Sequence, residues 1–266
     1  MLDTTKRPLA VVTGASTGIG LQLARQCAQN GFDLVIAANE PEIEKAAEEL
    51  RLGKAKVEAV QTDLATIEGN DALYRALNGR PVAALLANAG RGLGKAFLDQ
   101  DFNDIRYVID TNISGTLYLI QKIARDMRAR REGKILITGS IAGFMPGAYH
   151  AVYNATKAFV DSFSYALREE MKDTGVTVTC LMPGPTEADF FRRAGLLDTE
   201  FATQEKASPL DVAKDGFNAM MAGDGGVVSG FQNKVQAALA HVLPAGMLAR
   251  QHTQKAKPGT AADSGR

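Results

Sequence analysis

A chain of 266 residues, 45% hydrophobic and 23% charged, holds enough apolar material for one large core and shows no bias toward disorder. Its 30 basic residues balance its 30 acidic ones, which argues against nucleic acid or an anionic membrane surface as a partner. Cys27 and Cys180 have neither disulfide nor metal-ligand spacing and read as small core residues, so no metal is expected. No apolar run approaches the ~18 residues of a membrane span, and the first residues carry no signal-like apolar region. The cytoplasm is the expected address.

Short runs rich in Val, Ile, Leu and Ala alternate with longer stretches of helical period, the pattern of βα units around a parallel sheet. Strands are expected at 9–13, 34–38, 57–61, 82–87, 134–139, 176–181 and 227–229. Their near-continuous apolarity fits burial on both faces. Helices are expected at about 19–29, 41–51, 66–78, 102–130, 151–173 and 209–222. The last begins with Ser208, Pro209 and Asp211 in the order of an N-cap, a first-turn proline and an acidic third position. Right-handed crossovers between parallel strands then give a three-layer αβα sandwich in one domain, residues 1–250, with a tail over 251–266.

The first βα junction places glycines at 14, 18 and 20 between a strand and a helix, so the backbone can turn tightly and offer its amides and the helix dipole to a pyrophosphate. Asn88-Ala89-Gly90 closes the fourth strand with another small turn at the carboxyl edge of the sheet, where open α/β folds bind ligands. Later, Tyr153 and Lys157 stand four residues apart on one helix face, so an ammonium can sit beside a phenol and favour its ionised form. Ser140, ending the fifth strand, is placed to hydrogen-bond a substrate oxygen. Singly, Ser140 reads equally as a turn cap, Asn112 as an ordinary helix polar group and Tyr153 as a half-buried aromatic. Together they describe a carbonyl and alcohol site.

These pieces resemble the short-chain dehydrogenase/reductase family: Thr13-Gly-Ala-Ser-Thr-Gly-Ile-Gly20, Asp63, Ala87-Asn-Ala-Gly90, Asn112, Gly139-Ser140, Tyr153-x-x-x-Lys157 and Pro183-Gly-Pro-Thr186, in the family's order and spacing. The resemblance implies a Rossmann-type doubly wound sheet of seven mainly parallel strands and reversible hydride transfer between a nicotinamide dinucleotide and a secondary alcohol or ketone, or an aldehyde. It assigns Tyr153 as general acid and base, Lys157 as the group that lowers the phenol pKa and bonds the ribose, Ser140 as holder of the substrate oxygen, and Asn112 as support for a water relay. It lays Gly14, Ser16, Thr17, Gly18, Ile19 and Gly20 along the cofactor. Asn39, Asp63, Leu64, Asn88, Ala89 and Gly90 join them, with Tyr153, Lys157, Pro183, Gly184 and Thr186. An inactive dinucleotide-binding sensor or scaffold is the alternative, opposed by the intact Ser, Tyr, Lys and Asn set.

Cofactor choice between NAD(H) and NADP(H) is set after the second strand, where a carboxylate suits the ribose hydroxyls and an arginine the extra phosphate. Here the residues are Asn39 and Glu40, which tilt toward NAD(H) and make Asn39 the candidate selector. The apolar stretch at about 187–207, with Phe190 and Phe191, reads either as a mobile lid over a hydrophobic substrate or as an amphipathic helix packed on the sheet. Phe97, Ile141, Phe144, His150 and Val152 flank catalytic positions and are expected to line the pocket. A helical segment at about 231–250 is expected to pack over it or to reach a neighbouring subunit. The expected partner is a small-molecule carbonyl or alcohol, with the long helices supporting a homodimer or homotetramer.

Overall fold

The computed structural model describes residues 7–186 and 190–261. Among them, β1 (Leu9–Thr13), β2 (Asp33–Ala38), β3 (Val57–Gln61), β4 (Val82–Ala87), β5 (Gly133–Thr138), β6 (Val176–Met182) and β7 (Gly226–Val228) form one sheet in the order β3-β2-β1-β4-β5-β6-β7. Every pairing is parallel. Each strand lies within one residue of its expected bounds. The helices are α1 (Gly18–Gln29), α2 (Glu42–Arg51), α3 (Ile67–Ala76), α4 (Phe102–Ile109), α5 (Thr116–Arg130), α6 (Ala151–Glu170), α7 (Phe190–Arg193), α8 (Glu200–Thr203), α9 (Pro209–Ala222), α10 (Phe231–Ala240) and α11 (Ala245–Ala256).

Strand alternation builds two cores. Ala10 and Val12 of β1 pack with Leu23 of α1, Ile43 of α2 and Phe217 of α9. Leu9 and Val11 face the other way, among Leu73 of α3, Ile120 of α5 and Val160 of α6. Because both faces are dry, the strands read as unbroken apolar runs rather than as alternating ones. Full burial of each such large aliphatic side chain is worth about 2 kcal/mol. Strand order reverses between β1 and β4, and the crevice this opens at the carboxyl ends is where doubly wound sheets bind ligands.

Helix ends follow local chemistry. Thr66 Oγ1 accepts the Gly69 N–H at 3.0 Å and Asp101 accepts the Asn103 N–H at 2.7 Å. Pro209 opens α9 as expected, although the Ser208 side chain makes no capping bond.

Two expectations need correction. The single helix expected over 102–130 is α4, a π turn at Asp110–Gly115, and α5. The turn widens where Asn112 is tied to Arg91, and Gly115 lets the loop after β3 press in: an added Cβ would stand 1.8 Å from the Leu64 carbonyl oxygen. The tail expected from 251 instead continues α11 to Ala256, because its apolar face, with Leu248, His252 and Ala256, is buried. Positions 262–266 of that tail and 187–189 of the lid segment lie outside the described residues.

Candidate active site

After β1 the chain turns through Gly14 (φ 64°) and Gly18 (φ 57°), left-handed backbone that suits glycine. Gly20 is required for close approach, since an added Cβ would stand 2.0 Å from the Gly14 carbonyl oxygen. Asn88 ties this loop to the sheet. Its Nδ2 donates to the Thr13 carbonyl at 3.2 Å and its Oδ1 accepts from Thr138 Oγ1 at 3.1 Å, so one amide bridges the ends of β1, β4 and β5. The result is a cradle of main-chain N–H groups at a helix N-terminus, suited to a pyrophosphate.

A cavity of about 710 Å³ runs from this cradle to the helices that follow β6. Every residue expected along a dinucleotide lines it, as do Ser140, Tyr153, Lys157, Ile141, His150, Phe190 and Phe191. Phe97 does not: it lies on a surface 3-10 turn, 55% exposed, because the loop after β4 carries it away from the crevice. Phe144 packs instead against His241 with ring centres 5.1 Å apart, and the neighbouring Met145 takes the place on the wall. Val152 is likewise absent from the cavity wall.

Asn112 stands behind the wall rather than in it. Its Oδ1 accepts the Arg91 N–H at 2.7 Å, and its Nδ2 donates to the Arg91 carbonyl at 2.9 Å and to Thr156 Oγ1 at 3.0 Å. The side chain's donors are both taken, so its amide positions the loop after β4; the relay remains an expectation. Gly90 lies beside both Asn112 and Lys157, since an added Cβ would stand 3.5 Å from Asn112 Oδ1 and from Lys157 Nζ, ordinary contact distances.

At the centre, burial pushes the Tyr153 phenol from 10.0 up to about 12, a hydrogen bond with the Ser140 side chain pulls the other way, and the Asp161 carboxylate adds to the rise. Lys157 lies 5.9 Å from the tyrosine ring centre and donates from Nζ to the Thr138 carbonyl at 2.8 Å. Burial lowers its own pKa, against the Asp161 charge. The expected lowering of the phenol by the lysine is therefore not the dominant effect here; burial is. The phenol stays protonated at neutral pH, the form that gives a proton to a carbonyl oxygen.

Asp161 is a component that sequence reasoning missed, although the 153-157-161 spacing puts it on the same helix face. Its Oδ1 accepts the Ser140 N–H at 3.2 Å and lies 3.5 Å from Cys180 Sγ, while Oδ2 is buried with no partner among the described residues. The carboxyl group fills space left by two glycines: added Cβ atoms at Gly139 and Gly143 would fall 1.7 Å and 2.1 Å from its oxygens. Burial raises its pKa from 3.8 to about 6, partly offset by Lys157, a difference worth about 3 kcal/mol. The folded state holds this proton more tightly than the unfolded chain, so stability falls as pH rises through that window. Asp161→Asn should gain up to about 3 kcal/mol over the wild type above pH 6, shrinking toward zero near pH 4, in denaturant unfolding across pH. A gap that does not vary with pH would reject the buried-carboxylate account.

At the far end of the crevice, the Ser16 hydroxyl donates to Glu40 Oε2 at 2.7 Å, and Arg193 of α7 pairs with Glu40 and donates to Thr17 Oγ1 at 3.3 Å. Asn39 donates to the Tyr107 hydroxyl at 3.3 Å, which donates to Asp63 Oδ1 at 3.1 Å. Arg193 and Tyr107 had no signal in local spacing. The segment described beyond 189 is two short helices, with Phe191, Ala194 and Leu196 forming a small core of their own. Phe190, Phe191 and Phe201 line the cavity, and the apolar residues of the segment pack in this cluster of their own rather than on the sheet cores.

Residues 8–196 match the sequence profile of the short chain dehydrogenase family. An uncharacterized oxidoreductase of Myxococcus xanthus is 30% identical over 243 residues, 88% of this chain and 92% of that protein. A very-long-chain 3-oxoacyl-CoA reductase of Pyricularia oryzae is 35% identical over 176 residues, 64% of this chain and 53% of the relative, so the match spans about half of that protein. A short-chain dehydrogenase from Sphingobium yanoikuyae, solved with NADPH, superposes with a TM-score of 0.80 at 26% identity, covering 88% of this chain and 93% of that one.

Proposed function

Since the chain belongs to the short chain dehydrogenase family, we propose that it is an oxidoreductase that interconverts a bulky, mostly apolar ketone and its secondary alcohol using a nicotinamide dinucleotide. The observation that carries this reading is the Tyr153 side chain, half-buried on the wall of one cavity with Ser140, Lys157 and a glycine cradle where Gly14 and Gly20 leave no room for side chains.

When bound, the dinucleotide supplies or accepts the hydride. The chain does the rest. Gly14, Gly18 and Gly20 would hold the pyrophosphate, and Asn88 would keep that loop in register with the sheet. Ser140 would orient the carbonyl oxygen, and Tyr153 would give it the proton as charge grows there. The Lys157 ammonium, which donates to the Thr138 carbonyl, would stabilise the phenolate left behind and hold the ribose. Phe190 and Phe191 would exclude water.

The Glu40 carboxylate on the cavity wall repels an extra phosphate and supports NAD(H), with Arg193 as its counter-ion and Asn39 beside it. Asn39→Arg should raise the kcat/KM ratio of NADP(H) over NAD(H) by about tenfold or more, through a charge-assisted pair with the phosphate. An unchanged ratio would remove Asn39 as the selector. Apolar side chains left at the surface of α4 and α6, Phe102 and Phe159 among them, support assembly as a homodimer or homotetramer.

The test is consumption of NADH or NADPH with a panel of alkyl ketones, aryl ketones, steroids and 3-oxoacyl thioesters, the last prompted by the fungal relative. Turnover of at least one class supports the reading. Cofactor binding without turnover across the panel would favour a sensor or scaffold.

A further inference from the structure

The substrate end of the cavity holds a buried polar group that the proton-transfer chemistry leaves unused. His150, three residues before Tyr153, is 5% exposed and lines the cavity, yet its Nε2 has no hydrogen-bond partner among the described residues. A buried nitrogen without a partner is costly, so it marks a place where a ligand atom would be gained rather than merely tolerated. Three rings surround it. It lies parallel to Phe201 of α8, with centres 6.4 Å apart, 6.0 Å from the His252 ring of α11 and 5.5 Å from the Tyr153 ring. His252 is itself anchored, with Nδ1 bonded to the Ala148 carbonyl at 2.8 Å, which makes that nitrogen the N–H and leaves Nε2 as an acceptor on the neutral ring. Burial, and after it His252, takes the His150 pKa from 6.5 down to about 3, so the imidazole is neutral and able to donate or accept.

Resting on the reductase reading, we propose that His150, held by Phe201 and backed by His252, is a specificity-determining subsite that hydrogen-bonds a second oxygen of the substrate, so that the preferred substrates are apolar ketones carrying an ester, thioester, carbonyl or hydroxyl oxygen close to the reacting carbon. The spacing sets that closeness. With the Tyr153 and His150 ring centres 5.5 Å apart, both rings face neighbouring atoms of one substrate rather than its opposite ends. The aromatic wall takes the remainder: the Phe190 ring lies tilted against Tyr153 with centres 5.2 Å apart. A substrate lacking the second oxygen would bury His150 Nε2 without compensation, which is the situation in which hydrogen-bonding sites discriminate most strongly.

Ethyl benzoylacetate and hexanophenone are matched probes: both are phenyl ketones of similar length, and only the first carries an ester oxygen two carbons from the ketone. Wild-type kcat/KM should favour ethyl benzoylacetate by about tenfold or more. His150→Phe keeps the stacked ring but removes the nitrogens, and should bring the ratio of the two kcat/KM values close to one. His150→Gln, which restores a hydrogen-bonding amide at similar reach, should recover part of it. Quenching of intrinsic tyrosine fluorescence on NADH or NADPH binding confirms that each variant is folded and loaded. Equal use of the two ketones by the wild type, or a preference that survives in His150→Phe, overturns the subsite. If the wild type binds cofactor but reduces neither probe nor any other ketone of the panel, the reductase reading itself fails, a result distinct from loss of the preference alone.

Discussion

Replacing Tyr153 by Phe should lower kcat for carbonyl reduction by about 10²–10⁴-fold, the range contributed by a positioned general acid, while the dissociation constant for NADH or NADPH stays within about threefold. The substitution removes one oxygen and keeps the ring, which is held between His150 and Phe190 with centres 5.5 Å and 5.2 Å away. Packing is preserved, so the loss reports chemistry. Steady-state kinetics with fluorescence titration of the cofactor separates the two quantities, and turnover unchanged in the variant would end the proton-transfer assignment.

The second large effect should come from one methyl group. Gly20→Ala places a Cβ 2.0 Å from the Gly14 carbonyl oxygen and 2.6 Å from Asn88 Nδ2, contacts with backbone and with the amide that joins three strands. Neither can retreat cheaply. The loop must open or α1 must shift, at about 3 kcal/mol in stability, and a comparable loss at the cradle weakens dinucleotide binding about a hundredfold. Gly246→Ala is the control. It sits in α11 with nothing within 4 Å of the added atom, so it should gain about 0.5–1 kcal/mol from helix propensity with cofactor affinity unaltered. Thermal unfolding and cofactor titration on both variants check the pair; a Gly20→Ala protein that binds as tightly as the wild type would show that the glycine only serves the turn.

Much of the site was legible because its parts are short-range patterns. A strand of unbroken apolar residues, the spacing of Gly14, Gly18 and Gly20, and the four-residue interval between Tyr153 and Lys157 each describe neighbours along the chain. Local geometry converts such intervals directly into shared faces and tight turns. Phe97 shows the limit of that logic. It lies close in sequence to Gly90 but not in space, since nothing local in the loop after β4 says which way the chain departs from the crevice.

What the amino-acid order alone determined, then, is the sheet and most of its helices, the glycine turn after β1 and the tyrosine–lysine face, all of which are written in periodicity and adjacency. Only the closed structure decided that Arg193 meets Glu40 across 153 residues, that His252 is anchored to Ala148 across 104 and so stands beside His150, and that Asp161 fits beneath Ser140 because Gly139 and Gly143 make room. Those pairings join elements whose mutual distance is set by packing of the whole chain, where burial and the exclusion of water change the charge and hydrogen-bonding needs of each group.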